Sequence, residues 1–287
     1  MSYLMAILLG LVQGVAEFLP ISSSGHLTLF QHFFGMPETH FFQMEEVDNL
    51  YNILLHFATL IAVCVVYWRD IVEMVEEFFR ALASLFTKRG NRETPPPPAR
   101  RLVMLVIVGT LPLFLVLPIE GLVEGLGNSP VFVSCALIVT GFVLFFSDRM
   151  AKGHKTERTA RLSDALLVGV AQGLATIPGL SRSGTTISAG MALGLDRKFA
   201  VRYSFLLSLP AVLGATLLKV IKAVSGEVDV DMALLPKYLV GMVVAGVVGY
   251  FSIKLVKLLA DKGKFGKFAY YCWTIGLIAL VGSFFVK

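Results

Sequence analysis

Residues 4–18, LMAILLGLVQGVAEF, are apolar or glycine at every position except Gln13 and Glu17. Being i and i+4, those two share one helix face. PISSSGHL follows at 20–27, placing Ser22, Ser23, Ser24, Gly25 and His26 directly after the apolar run. A second cluster, SRSGTT at 181–186, holds Ser181, Arg182, Ser183, Gly184 and Thr186. An ionised carboxylate at bilayer depth costs at least about 2.5–3.5 kcal/mol and calls for a partner. Arg182 offers a fork suited to phosphate. Serines cap helices, and helix N-termini aim free N–H groups and a positive dipole end at anions. A nucleophile (Ser23 or His26), a carboxylate (Glu17) and an arginine with two helix ends would suffice for phosphoryl transfer. Spacing alone does not say which group attacks. Each residue also has a plainer reading. Glu17 and Arg182 can be a structural ion pair, Gln13 an interhelical hydrogen bond, the serines caps, His26 a core residue, and Thr186 a hydroxyl bonded back to its own helix. His56, alone in the apolar stretch NILLHFATLIAV, reads as structural.

The two clusters belong to an internal repeat. LLGLVQGVAEFLPISSSG at 8–25 aligns without gaps with LVGVAQGLATIPGLSRSG at 167–184, and eight of the 18 positions are identical. Among them are Gln13/Gln172, Gly14/Gly173, Ser22/Ser181, Ser24/Ser183 and Gly25/Gly184. Both copies read as a short helix, a break at Pro20 or at Pro178-Gly179, and a second short helix, expected over 27–35 and 185–195. A helix over 4–18 is about 22 Å long at 1.5 Å per residue, too short to cross a bilayer comfortably.

The rest of the chain is membrane-like. It is 56% hydrophobic and 16% charged over 287 residues, with a mean hydropathy of +0.75. Apolar runs at 50–68, 102–119, 130–147, 199–221, 236–253 and 268–286 are long enough to span, and no period-2 alternation suggests a barrel. Cys64, Cys135 and Cys272 fall in three different runs, which argues against a disulfide framework. The helical spacing of apolar residues over 70–87, with a charged opposite face, predicts an interfacial helix, followed by the stiff spacer TPPPP at 94–98. Connections at 88–101, 149–161 and 254–267 are basic, whereas 36–49, 120–129 and 223–235 carry only acidic charges. The positive-inside rule puts the basic segments in the cytoplasm, where they set topology rather than bind nucleic acid.

The expected architecture is therefore all-α, with six transmembrane helices and two re-entrant helical hairpins in one membrane domain, 1–287. Repeat 1 covers about 1–148, with a hairpin at 4–35 entering from outside. Repeat 2 covers about 162–287, with a hairpin at 162–195 entering from inside. In such an inverted-topology repeat the broken helices meet near the midplane. Non-helical backbone survives there only against protein or a water-filled cavity, so the two breaks should line one cavity. The same architecture also suits a secondary transporter or lipid flippase for an anionic substrate. Gly241, Ala245 and Gly249 permit close helix packing, either within the chain or in a homodimer.

QGVAEFLPISSSGH at 13–26 resembles the (E/Q)xxxE region of the undecaprenyl-diphosphatases, the bacitracin-resistance family, with its serine-rich turn and histidine. PGLSRSGTT at 178–186 resembles that family's second signature, PGxSRSGxT. The resemblance covers essentially the whole chain. It implies a multi-pass inner-membrane phosphatase that trims undecaprenyl diphosphate to the monophosphate carrier used for peptidoglycan and other wall polymers. It also implies a site open to the periplasm and dependence on Mg²⁺ or Ca²⁺. By matching position, Glu17 is the essential carboxylate, Ser23 and His26 the catalytic serine and histidine, and Arg182 with Ser181, Ser183, Gly184 and Thr186 the diphosphate-binding loop. Gln13, Ser22 and Ser24 would complete the substrate site. Gln13 stands where a second carboxylate is often found, so a cation would rest mainly on Glu17 and the substrate's phosphates. Ser23 is favoured as nucleophile over His26.

Overall fold

The computed structural model describes residues 2–34, 47–86, 96–150, 152–224 and 234–285. The acidic residues at 38–46 and 227–231, and most of the basic and proline-rich stretch 88–97, lie outside them. The described chain is helical, and its only β feature is one bridge between Lys155 and Leu195.

Both copies of the repeat form a helix, a break and a second helix. The first is α1 (Tyr3–Ala16) and α2 (Ser23–Phe34). Next come α3 (Val47–Val66), α4 (Trp68–Phe86), α5 (Pro98–Thr110), α6 (Glu120–Leu126) and α7 (Pro130–Ser147). The second copy is α8 (Leu162–Leu174) and α9 (Arg182–Ala192), followed by α10 (Arg197–Val224), α11 (Leu235–Asp261) and α12 (Phe268–Gly282). The return helices begin three or four residues earlier than the spacing predicts. Their serines cap the first turn instead of preceding it at a distance, and this moves Ser23 and Arg182 from loop onto helix.

Among the described residues four segments are long and apolar enough to cross a membrane: Pro98–Ile119, Pro130–Ser147, Leu235–Asp261 and Phe265–Gly282. This is a multi-pass membrane protein. A fifth candidate bends by 88° where α3 meets α4. That bend lays the amphipathic α4 crosswise, as its charged face requires, with buried Glu77 held by Arg80 (2.8 Å) and Arg100 (3.0 Å). The span predicted at 102–119 is not one smooth helix. After Thr110 it tightens into 3₁₀ turns at Leu111–Leu115 and Leu117–Ile119, because Pro112 and Pro118 cannot donate to the α-helical ladder.

Each hairpin packs on the other repeat. α1 lies on α11, with Gly10 and Gly14 facing Gly241, Ala245 and Gly249; a Cβ at Gly10 would stand 2.5 Å from the Gly241 carbonyl. α8 lies on α5 in the same manner, and a Cβ at Gly169 would stand 2.2 Å from the Gly109 carbonyl. The small-residue stripe of α11 is thus occupied within the chain. The breaks touch reciprocally: a Cβ on Gly25 would lie 3.0 Å from Gly179 Cα, and one on Gly184 would lie 3.1 Å from Pro20 Cβ. Residues 20 and 179 are equivalent in the repeat, as are 25 and 184, so the contact has local two-fold character.

The basic segments gather at one end. Arg202 pairs with Asp70 at 3.2 Å and Glu157 at 4.0 Å, and Arg101 donates to the carbonyls of Glu157 (3.1 Å) and Ala160 (2.7 Å). Lys198 stands 3.7 Å from Asp261 at the end of α11. Arg202, at the start of an apolar run, is therefore held by carboxylates.

Candidate active site

The two return helices start alike. Ser22 Oγ accepts from the Gly25 N–H at 3.2 Å, and Ser181 Oγ accepts from the Gly184 N–H at 3.2 Å. Each capping hydroxyl also meets the serine two residues on, Ser24 at 3.3 Å and Ser183 at 3.4 Å. Ser23 and Arg182 follow as the first residues of α2 and α9. Both helix N-termini therefore face the same break region, each with orphan backbone donors. Ser22 holds a left-handed backbone (φ 67°), a conformation that costs a non-glycine residue about 1–3 kcal/mol.

Glu17 caps the C-terminal end of α1, and its side chain is only 8% exposed. One carboxylate oxygen is paired with the Arg182 guanidinium. The other accepts from Gln13 Nε2 at 3.1 Å and from Ser23 Oγ at 3.4 Å, and His56 Nε2 stands 3.8 Å away. The expected partnership of the buried acid and the arginine is thus present, with the serine hydroxyl aimed at the same acid.

These groups line a cavity of about 310 Å³. Its polar wall holds Glu17, Ser22, Ser23, Ser24, His56, Gln172, Thr176, Ser181 and Arg182. Its apolar wall comes from α3 (Ile53), the turn after α5 (Leu113) and α10 (Ala211, Val212). A charged headgroup fits the first wall and a hydrocarbon stem the second.

Not every expected residue reaches the cavity. Gln13 stands behind Glu17 as its donor. Ser183 ties the hairpins together, its hydroxyl lying 3.4 Å from the Leu19 carbonyl. The Thr186 hydroxyl donates to the Arg182 carbonyl at 2.8 Å and meets Ser204 at 2.6 Å, bracing α9 from behind. Gly184 packs against Pro20 and offers its N–H to the cap. His26, expected beside Ser23, turns away from the cavity wall. Its Nδ1–H donates to the Ser22 carbonyl at 2.8 Å, which leaves Nε2 to accept from the Tyr271 hydroxyl at 2.9 Å. The ring stacks on Tyr271, with centroids 5.5 Å apart. His26 lies one turn beyond Ser23, but its ring is drawn to the flank where Tyr271 of α12 offers its hydroxyl.

His56 was read as structural, yet it lines the cavity. The signal that would have found it is a polar side chain in an apolar span, one turn from Ile53, which lines the same wall. Gln172 was read only as a mark of the repeat, and it too is a wall residue.

The donors make a poor resident cation site. Among the described residues no three His, Cys, Asp or Glu side chains converge. Glu17, the one carboxylate among the described residues that line the cavity, already faces a guanidinium, whose fixed positive charge opposes a dication.

A model of the family described as Bacitracin resistance protein BacA matches residues 6–278. The chain belongs to that family. The BacA match takes in both hairpins and therefore the whole cavity. Among similar curated proteins, the undecaprenyl-diphosphatase of Methanosphaera stadtmanae is 38% identical over 283 residues, 98% of each chain. That of Halothermothrix orenii is 37% identical over 277 residues, 96% of each. That of Methanobrevibacter smithii is 37% identical over 285 residues, 99% of this chain and 98% of its own.

Proposed function

We propose that the cavity hydrolyses the terminal phosphate of undecaprenyl diphosphate, releasing inorganic phosphate and the monophosphate lipid carrier used in cell-wall polymer synthesis. The protein is a phosphatase of the BacA family. One observation carries the chemistry: the Ser23 hydroxyl and the Arg182 guanidinium address opposite oxygens of the same buried carboxylate, Glu17.

In this reading Ser23 Oγ attacks the terminal phosphorus and its proton passes to the Glu17 oxygen 3.4 Å away. The bond between that phosphorus and the bridging oxygen breaks, and the lipid monophosphate leaves with the electron pair. Water then attacks the phosphoserine: one of its protons stays on the released phosphate and the other passes to solvent, while the bond between phosphorus and Ser23 Oγ breaks and Glu17 returns its proton to that oxygen. Arg182 and the N–H groups opening α2 and α9 stabilise the charge on the transferring phosphoryl oxygens. His26 does not attack. It fixes the Ser22 carbonyl and so the left-handed turn that presents Ser23. Mg²⁺ or Ca²⁺, in this reading, is a companion of the diphosphate and not a resident of the protein.

The arrangement supports a site open to the outer face of a bacterial inner membrane. The basic segments collect at the end where α10 begins, which the charge rule assigns to the cytoplasm. Ala211 lies 14 residues along α10 from Arg197, about 21 Å toward the opposite end.

The test is phosphate release by purified protein given undecaprenyl diphosphate in detergent. Turnover with one phosphate per lipid is expected, and a protein that only moves the lipid releases none. Ser23→Ala should abolish it. A phosphohistidine at position 26, trapped in place of phosphoserine at 23, would reverse the assignment of the nucleophile.

A further inference from the structure

Gln172 has no role in the mechanism above, yet its setting is unusual. It is 1% exposed, and neither polar atom of its amide has a hydrogen-bond partner among the described residues. It lines the cavity together with Glu17, Ser23 and Arg182. A buried primary amide is ordinarily satisfied, because leaving its donors and acceptor unmade is unfavourable.

The repeat explains how the amide comes to be unengaged. Gln172 is the equivalent of Gln13, and Gln13 Nε2 donates to the side chain four residues on, Glu17. In the second copy that position is Thr176, whose hydroxyl is turned back to the Gly173 carbonyl at 2.7 Å. The same helix face therefore presents a donor fastened to an acid in one copy and a loose donor–acceptor pair in the other.

We propose that Gln172 is a phosphate-contacting residue of this site. Its N–H₂ donates to a phosphoryl oxygen, and its carbonyl accepts from water or a phosphate hydroxyl, a task Arg182 and the helix N–H groups cannot perform because they only donate. The neutral amide adds directional recognition without adding charge beside Glu17. The inference rests on the phosphatase reading for its substrate, but not for its geometry.

Gln172→Met keeps the volume and removes both polar atoms; Gln172→Glu keeps the shape and adds a charge that repels phosphate. With undecaprenyl diphosphate in detergent, kcat/KM of the Met variant should fall about 10- to 100-fold, the loss expected for a hydrogen bond to a charged ligand. Its melting temperature should equal or exceed wild type, because a buried amide is replaced by an apolar side chain of similar size. Inorganic pyrophosphate should raise the melting temperature of wild type and do so less in the Met variant, and least in the Glu variant. A Met variant that melts below wild type, keeps wild-type kcat/KM, or responds equally to pyrophosphate overturns the proposal. If wild type itself releases no phosphate, the phosphatase reading falls, and the pyrophosphate response still decides the role of Gln172.

Discussion

Ser23 and Arg182 occupy the same position in the two copies of the repeat, the first residue of α2 and the first of α9, 159 residues apart. The caps beside them are matched in their hydrogen bonds: the capping serines 22 and 181, the serines 24 and 183 and the glycines 25 and 184. What differs is the chemistry. One copy supplies a hydroxyl where the other supplies a guanidinium, and one supplies Glu17 where the other supplies Thr176. The site is the place where a near-symmetric scaffold departs from symmetry, with Glu17 and Ser23, the proposed acid and nucleophile, from the first hairpin and Arg182, the proposed phosphate clamp, from the second.

Glu17→Gln should reduce turnover by about 10²–10⁴-fold, the range for losing a general base. It also removes the counter-charge of Arg182, which is 26% exposed. Breaking a buried pair costs up to about 3–5 kcal/mol, less here because the cavity admits water. Phosphate release and thermal melting in detergent measure the two effects. A variant of wild-type rate would exclude Glu17 from proton transfer.

Arg182→Lys keeps the charge but not the planar fork. If the arginine grips phosphate and Glu17 through separate nitrogens, kcat/KM should drop about 10- to 100-fold, and Arg182→Ala should lose more. Steady-state kinetics on the two variants make the comparison. Equal activity of Lys and Arg would reduce the residue to a point charge.

Much of this was legible in the residues themselves. The break at Pro20, the small polar alphabet around it and its copy at Pro178-Gly179 point to two hairpins sharing a cavity, and the pairing of Glu17 with Arg182 follows from burial alone. Two matters were not legible. The starts of α2 and α9 depend on whether Ser22 and Ser181 cap immediately, and Ser22 does so through a left-handed backbone that side-chain periodicity does not register. Company along the chain favours His26 over His56, whereas exposure to the cavity depends on helix rotation. His26 had serines nearby and turned away; His56 had only apolar neighbours and stands 3.8 Å from Glu17.

That reversal has a kinetic consequence. His56→Ala should lower kcat/KM about tenfold, because it strips a polar group from the cavity wall beside the carboxylate. Tyr271→Phe deletes the hydroxyl that His26 Nε2 accepts from and should lower kcat only a few-fold, with KM unchanged, through a looser Ser22 turn. Measuring both on the same substrate separates wall from support. A silent His56→Ala beside a crippling Tyr271→Phe would return His26 to the catalytic machinery.

The last prediction concerns the scaffold. Gly14 sits one residue past Gln13 on α1, and a Cβ there would meet the Ala245 carbonyl at 2.7 Å and Val248 Cβ at 2.9 Å. Backbone on one side and a branched side chain on the other leave little room to give, so Gly14→Ala should push α1 away from α11. Glu17, less than one turn on, would move with it and open its contacts to Ser23 and Arg182. We expect lower thermal stability and a fall in kcat larger than any rise in KM. Gly121, on α6, is the control: nothing lies within 4 Å of its Cβ position, and Ala is favoured over Gly in a helix by about 1 kcal/mol. Gly121→Ala should therefore melt at or above wild type with full activity. If Gly14→Ala behaved like Gly121→Ala, contact between the first hairpin and the opposite repeat would not be what holds the carboxylate in place.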